Sequence, residues 1–87
     1  MDVLIHPSAK KTLNKLASDI QQKIKAGIKK LSEDPYSKQL DVKKLKGLGS
    51  KPDLFRLRVG EYRIIYAIKE DKIWITDIIR REKGYHF

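Results

Sequence analysis

The sequence predicts an α+β domain in which an N-terminal strand and a helical hairpin pack on an antiparallel β-sheet. Three observations carry that prediction. Ile20, Ile24, Ile28 and Leu31 recur at spacings of four, four and three, which draws one apolar stripe along a helix. From Leu54 the hydrophobic period drops to two, with Phe55, Leu57 and Val59 alternating with Arg56 and Arg58. Gly60-Glu61 and Glu70-Asp71 interrupt the second half where hairpin turns belong. Eighty-seven residues, 40% of them hydrophobic, suit a single domain over 1–87 with one modest core.

The elements follow in chain order. Val3-Leu4-Ile5 is a brief strand ended by His6-Pro7. Pro7 fits the first turn of a helix, where its missing N–H costs nothing, and that helix runs to about Ala17 while burying Leu13 and Leu16. Ser18 with Gln21 has the form of a capping box at the start of a second helix. Asp34-Pro35 stops that helix. Residues 36 to 53 are polar and irregular, with Leu40, Val42 and Leu45 as anchors. Gly47-Leu48-Gly49-Ser50 lacks the Gly-Lys-Ser/Thr that opens a helix in a nucleotide-binding loop. Three strands follow, about Leu54–Val59, Tyr62–Lys69 and Lys72–Ile79, as a meander, and Arg80 to Phe87 form a polar tail.

Composition narrows the chemistry. The absence of cysteine removes disulfides, thiolate metal sites and cysteine nucleophiles, and two histidines are too few for a histidine cage. No metal or cofactor is expected. No apolar run reaches the roughly 20 residues of a membrane span and no leader opens the chain, so a cytoplasmic protein is expected. Twenty Lys and Arg against eleven Asp and Glu leave a net charge of +9, which draws polyanions to so small a body. A solvated lysine-rich surface would have the same composition, so the placement of the charge has to decide.

A two-residue hairpin at 60–61 sets the register, with Val59 opposite Tyr62, Arg58 opposite Arg63 and Arg56 opposite Ile65. Phe55, Leu57, Val59, Tyr62, Ile64, Tyr66 and Ile68 then share the core face, and Arg56, Arg58 and Arg63 share the other. Like charges directly across a strand pair destabilise it by about 0.2–1 kcal/mol, so an arginine pair there points to an anion. A solvated face that protects a sheet edge is the competing reading. Counting on through the second turn places Ile78 opposite Arg63, Arg80 by alternation on the arginine face and Asp77 on the core face, where a carboxylate is misplaced unless a bulge shifts the register or Asp77 pairs with an arginine near the sheet edge. Trp74 shares the arginine face and is a candidate platform for a base, a contact worth about 1–3 kcal/mol, with a buried structural role as the equal alternative.

These residues resemble the RelE/ParE superfamily of toxins from toxin–antitoxin modules. The likeness runs through Lys44-Leu45-Lys46-Gly47, Phe55-Arg56-Leu57-Arg58, Tyr62-Arg63-Ile64-Ile65-Tyr66 and Arg81-Glu82-Lys83-Gly84-Tyr85, in that order and nearly over the whole chain. The resemblance implies a RelE-like fold, ribosome-dependent cleavage of mRNA in the A site, and an antitoxin that wraps and silences the toxin. By position it implies catalytic roles for Arg56, Arg58, Arg63, Arg81 and Tyr85. Arg56 and Arg58 replace lysines of the bacterial enzyme, and since arginine does not give up its proton they are assigned to electrostatic stabilisation rather than to base catalysis.

RNA brings its own nucleophile, the 2′-hydroxyl, so cleavage needs a base, an acid and neutralisation of the phosphorane, with no metal where cations surround the phosphate. Tyr85 is the candidate base because neighbouring arginines favour its phenolate, and His86 is its rival. His6, at a strand–helix junction, reads as a cap or a surface residue. Lysines 10, 11, 15, 23, 25, 29, 30, 38, 43, 44 and 46 are expected to steer the protein onto RNA phosphates, with Lys23, Lys30, Lys44, Lys46, Trp74 and Arg80 as RNA or ribosome contacts. The expected protein partner is acidic. Two other readings stay open: a ParE-like toxin that inhibits DNA gyrase by binding, and a non-catalytic RNA-binding relative.

Overall fold

The computed structural model describes residues 1–45 and 53–80. They form β1 (Asp2–Ile5), α1 (Pro7–Asn14), α2 (Ser18–Glu33), β2 (Val42–Leu45), β3 (Leu54–Val59), β4 (Tyr62–Lys69) and β5 (Lys72–Arg80). The strands make one sheet in the order β1-β5-β4-β3-β2. Three of the pairings are antiparallel, but β1 runs parallel to β5, so the sheet is mixed rather than purely antiparallel. The two helices separate β1 from its sheet neighbours in sequence, and such a long crossover is what a parallel pairing requires.

Local chemistry shapes the helices. Pro7 opens α1 as expected, and the His6 ring Nδ1 accepts the Ser8 N–H at 3.1 Å as the cap. The helix stops at Asn14, short of the expected Ala17, because the N–H groups of Lys15 and Leu16 bond three residues back to Thr12 and Leu13 and tighten the last turn. The Ser18–Gln21 capping box does not form. Ala17 is the N-cap of α2 without a side-chain bond, and Gln21 instead donates its amide to the Leu16 carbonyl at 2.8 Å and the Asn14 carbonyl at 3.3 Å. Gln21 therefore satisfies carbonyls at the end of the preceding helix rather than amides at the start of its own.

One face of the sheet is covered by the helices. Ala9 and Leu13 of α1 and Ile24, Ile28 and Leu31 of α2 pack with Leu57, Ile64, Tyr66, Ile73, Ile75 and Ile78. Phe55, Val59, Tyr62 and Ile68 border this core, so the alternation read from β3 and β4 holds. The approach of α2 to β3 is close. A Cβ added at Gly27 would stand 2.9 Å from Val59 Cγ2, which is why no side chain fits there.

Tyr66 is fully buried and stacks on Phe55 with ring centroids 5.5 Å apart. Burial first, and Tyr36 second, push its phenol up to about 12. Because the folded state holds this proton more tightly than the unfolded chain does, the stabilisation is complete below about pH 10 and is lost as the pH rises from there towards 12. Denaturation curves between pH 8 and 12, roughly the phenol range, should show that loss reduced in Tyr66→Phe. Equal alkaline loss in both proteins would contradict it.

Both hairpins have the expected turns. Gly60 sits at φ 58°, whereas Glu70 and Asp71 occupy φ 55° and 59°, the left-handed region that side chains with a Cβ disfavour. Asp71→Gly is expected to stabilise the protein by about 1 kcal/mol, raising Tm by about 4–8 °C. An unchanged or lower Tm would show that the turn carries no strain.

Beyond the second hairpin the register departs from simple counting. Tyr66 pairs with Ile75 but Ile65 pairs with Asp77, so Thr76 is an extra residue in β5, with its hydroxyl donating to the Ile65 carbonyl at 3.3 Å. This bulge moves the four residues that follow it. Ile79 rather than Ile78 lies opposite Arg63, Asp77 leaves the core side for the arginine side, and Arg80 lies across from Tyr62, off the arginine face. The gain is physical: Ile78 enters the core at 7% exposure and the carboxylate is kept out of it.

Candidate functional site

The face away from the helices is organised in rows by the strand register. Arg58 lies opposite Arg63, and Arg63 opposite Ile79. The next row is Lys43, Arg56, Ile65 and Asp77, across β2, β3, β4 and β5. A third row is apolar: Leu45, Leu54, Ala67, Trp74 and Leu4. Ile65 at 1% exposure and Ala67 at 7% form a buried floor in β4, beside which the arginines stand. An apolar floor lowers the local dielectric and strengthens any ion contact made above it.

The three arginines are held differently. Arg56 donates from Nη2 to Asp41 Oδ1 at 3.0 Å, and its side chain keeps 14% exposure. Among the described residues its buried Nε has no hydrogen-bond partner, and neither has the buried Nη1 of Arg63. Buried N–H donors are normally paired, since an unmet donor costs about 1–3 kcal/mol. Arg58 is exposed, and among the described residues neither Arg58 nor Arg63 forms an ion pair. Among the described residues the site thus presents two unmet buried donors and two cations without an ion pair on one face, a set suited to a tetrahedral oxyanion.

Other expected contacts fall elsewhere. Arg80 meets Glu61 at 3.5 Å, and its register position puts it on the helix side of the sheet rather than beside the arginine cluster. Lys44 is exposed and paired with Asp53 at 3.0 Å, while Lys43 shares the Arg56 row. Lys23 and Lys30 are exposed on α2, which covers the opposite face, so the structure does not bring them to the arginines. Trp74 does share the arginine face, is 38% exposed, and donates from Nε1 to the Lys69 carbonyl at 3.2 Å, which fixes its ring over the turn. Lys46, Arg81, Tyr85 and His86 lie outside the described residues. Two carboxylates that motif reading does not assign to the site belong to it: Asp41, whose partner is fifteen residues away, and Asp77, whose only signal is its misfit on the core face.

Among the described residues no three His, Asp or Glu groups cluster as metal ligands, and no helix is long and apolar enough to cross a membrane.

Comparison with known proteins agrees with this architecture. Residues 3–85 match the family model of the ParE toxin of type II toxin–antitoxin systems. The protein named RelE1 of Methanocaldococcus jannaschii is 34% identical over 87 residues, spanning 97% of this chain and 93% of that protein. The archaeal RelE–RelB complex from Pyrococcus horikoshii superposes with a TM-score of 0.79 at 30% identity, covering 95% of this chain and 97% of the other. The isolated E. coli RelE toxin has the same fold, with a TM-score of 0.75 at 20% identity over 95% of this chain and 86% of that one. The chain belongs to the RelE/ParE superfamily of type II toxin–antitoxin toxins, with RelE-type proteins among its relatives.

Proposed function

We propose that the arginine face holds the scissile phosphate of an mRNA in the ribosomal A site, and that the protein is a ribosome-dependent endoribonuclease that stops translation. The observation that carries this reading is the pair of buried guanidinium N–H groups on Arg56 and Arg63 that have no partner among the described residues, beside Arg58, which has no ion pair among them. Three fixed cations stabilise the charge that develops as the 2′-oxygen attacks phosphorus and the 5′-oxygen leaves. None of them can serve as the base, because arginine stays protonated.

Tyr85 is assigned as the base, with His86 as its rival, and Arg81 as the group that orients the phosphate or assists the leaving oxygen. Both assignments rest on the family resemblance. Lys23, Lys30, Lys44, Lys46 and Arg80 are assigned to ribosomal RNA phosphates, and Trp74 to a base. Spread over both faces of the domain, such contacts position the protein without reading sequence. The structures of RelE with RelB support an antitoxin as the protein partner, and the net charge of +9 favours an acidic one. A cytoplasmic site of action follows from a ribosomal target.

A second reading has one specific support, the match to the ParE family model. In it the protein inhibits DNA gyrase by binding and needs no catalytic set. The deciding experiment is in vitro translation of a defined mRNA, with a gyrase supercoiling assay alongside. A-site cleavage by the wild type, lost in Arg81→Ala and Tyr85→Phe, is expected. Intact mRNA with blocked supercoiling would establish the second reading. Undiminished cleavage by Tyr85→Phe would transfer the base to His86.

A further inference from the structure

Asp41 stands immediately before β2, the edge strand beside β3. Its main-chain carbonyl accepts the Arg58 N–H at 2.9 Å, and its carboxylate accepts from Arg56 Nη2 at 3.0 Å. One residue thus holds both arginine-face positions of β3, one through the backbone and one through the side chain. The ion pair is asymmetric: the Asp41 side chain is 56% exposed and that of Arg56 only 14%. Nor does the carboxylate exhaust the guanidinium, because the buried Nε has no partner among the described residues. A guanidinium is planar, so anchoring one terminal nitrogen sets the direction of every other N–H in the fork.

We infer that Asp41 is a positioning residue, which locks the plane of Arg56 so that its free Nε–H meets the same anion as Arg63 Nη1. The inference rests on the phosphate-binding reading of the arginine face. Its physical content is preorganisation: a long side chain fixed before substrate arrives loses no freedom when the transition state forms. The carboxylate works through geometry, so an uncharged acceptor in the same place serves as well.

Two substitutions separate geometry from charge. Asp41→Asn retains an Oδ1 acceptor, whereas Asp41→Ala removes it, and Asp41→Ser, too short to reach, replaces the alanine variant if that one fails to fold. Nitrogen-15 NMR of the arginine Nε–Hε groups reads the anchor without any substrate. The Arg56 signal should be sharp and slowly exchanging in the wild type and Asp41→Asn, but broad and fast in Asp41→Ala. On programmed ribosomes Asp41→Ala should lower kcat by about 10–100-fold with little change in KM, and Asp41→Asn should stay near wild type.

An unchanged Arg56 signal in Asp41→Ala overturns the inference. So does wild-type kcat in a destabilised Asp41→Ala, or an equal loss of kcat in Asp41→Asn, which would assign the effect to charge. If the wild type itself leaves mRNA intact, the cleavage reading fails separately. The anchor is then judged by the NMR signals, and by whether inorganic phosphate shifts the Arg56 Nε–Hε signal in the wild type but not in Asp41→Ala.

Discussion

Arg63→Met is expected to cleave ribosome-bound mRNA about 100- to 1,000-fold more slowly than wild type, the usual cost of removing one preorganised oxyanion donor. The same substitution should leave the protein as stable or up to about 1 kcal/mol more stable. Arg63 faces Arg58 directly, and opposed like charges cost about 0.2–1 kcal/mol. Its buried Nη1 also has no acceptor among the described residues, so removing it deletes an unmet donor. Methionine keeps the aliphatic stem that packs along the sheet, which isolates the charge from the packing. Single-turnover cleavage and urea denaturation check the two halves. Lost stability with full cleavage would show that the pair is structural and would remove the basis for the anion site.

The largest expected effect on folding comes from Ile64→Ala. Ile64 is fully buried in β4, between Leu57 of β3 and Ile78 of β5, and the arginine strand rests on that contact. Truncating a core isoleucine costs about 2–5 kcal/mol through lost transfer energy and the cavity left behind. In a domain of this size that lowers Tm by about 10–30 °C, out of a total stability of about 5–15 kcal/mol. Urea curves should show a lower midpoint with an unchanged slope. A cost below about 1 kcal/mol would mean that the core is not centred on β4.

Much of this architecture can be read from residue order because the signals are periodic or local. The stripe Ile20, Ile24, Ile28, Leu31 and the alternation around Arg56 and Arg58 each repeat the period of their element, and Gly60 admits the one backbone angle that its turn needs. Facing arginines at 58 and 63 follow from that turn alone. What escapes such reading depends on partners distant in sequence. β2 has only four residues and shows no alternation, since it is an edge strand fixed by pairing with β3. The parallel placement of β1 follows from where the helices return the chain.

The bulge at Thr76 leaves one trace in the sequence, a carboxylate at Asp77 where counting demands an apolar group. The capping box fails because the Gln21 side chain donates to the carbonyls of Asn14 and Leu16 instead of accepting an N–H at the start of its own helix. Asp41 leaves no trace in any motif, because its role exists only once β2 lies beside β3.

The most direct test of a single shared anion site is a double-mutant cycle between Arg58→Gln and Arg63→Gln, measured first on stability and then on binding of an all-deoxy trinucleotide that cannot be cleaved. Without the oligonucleotide the two arginines should be coupled unfavourably, so that the second neutralisation gains less stability than the first. In binding the coupling should reverse sign, with either single change losing most of the affinity that the double change loses. Additive effects in both measurements would mean that the two guanidinium groups do not converge on one phosphate.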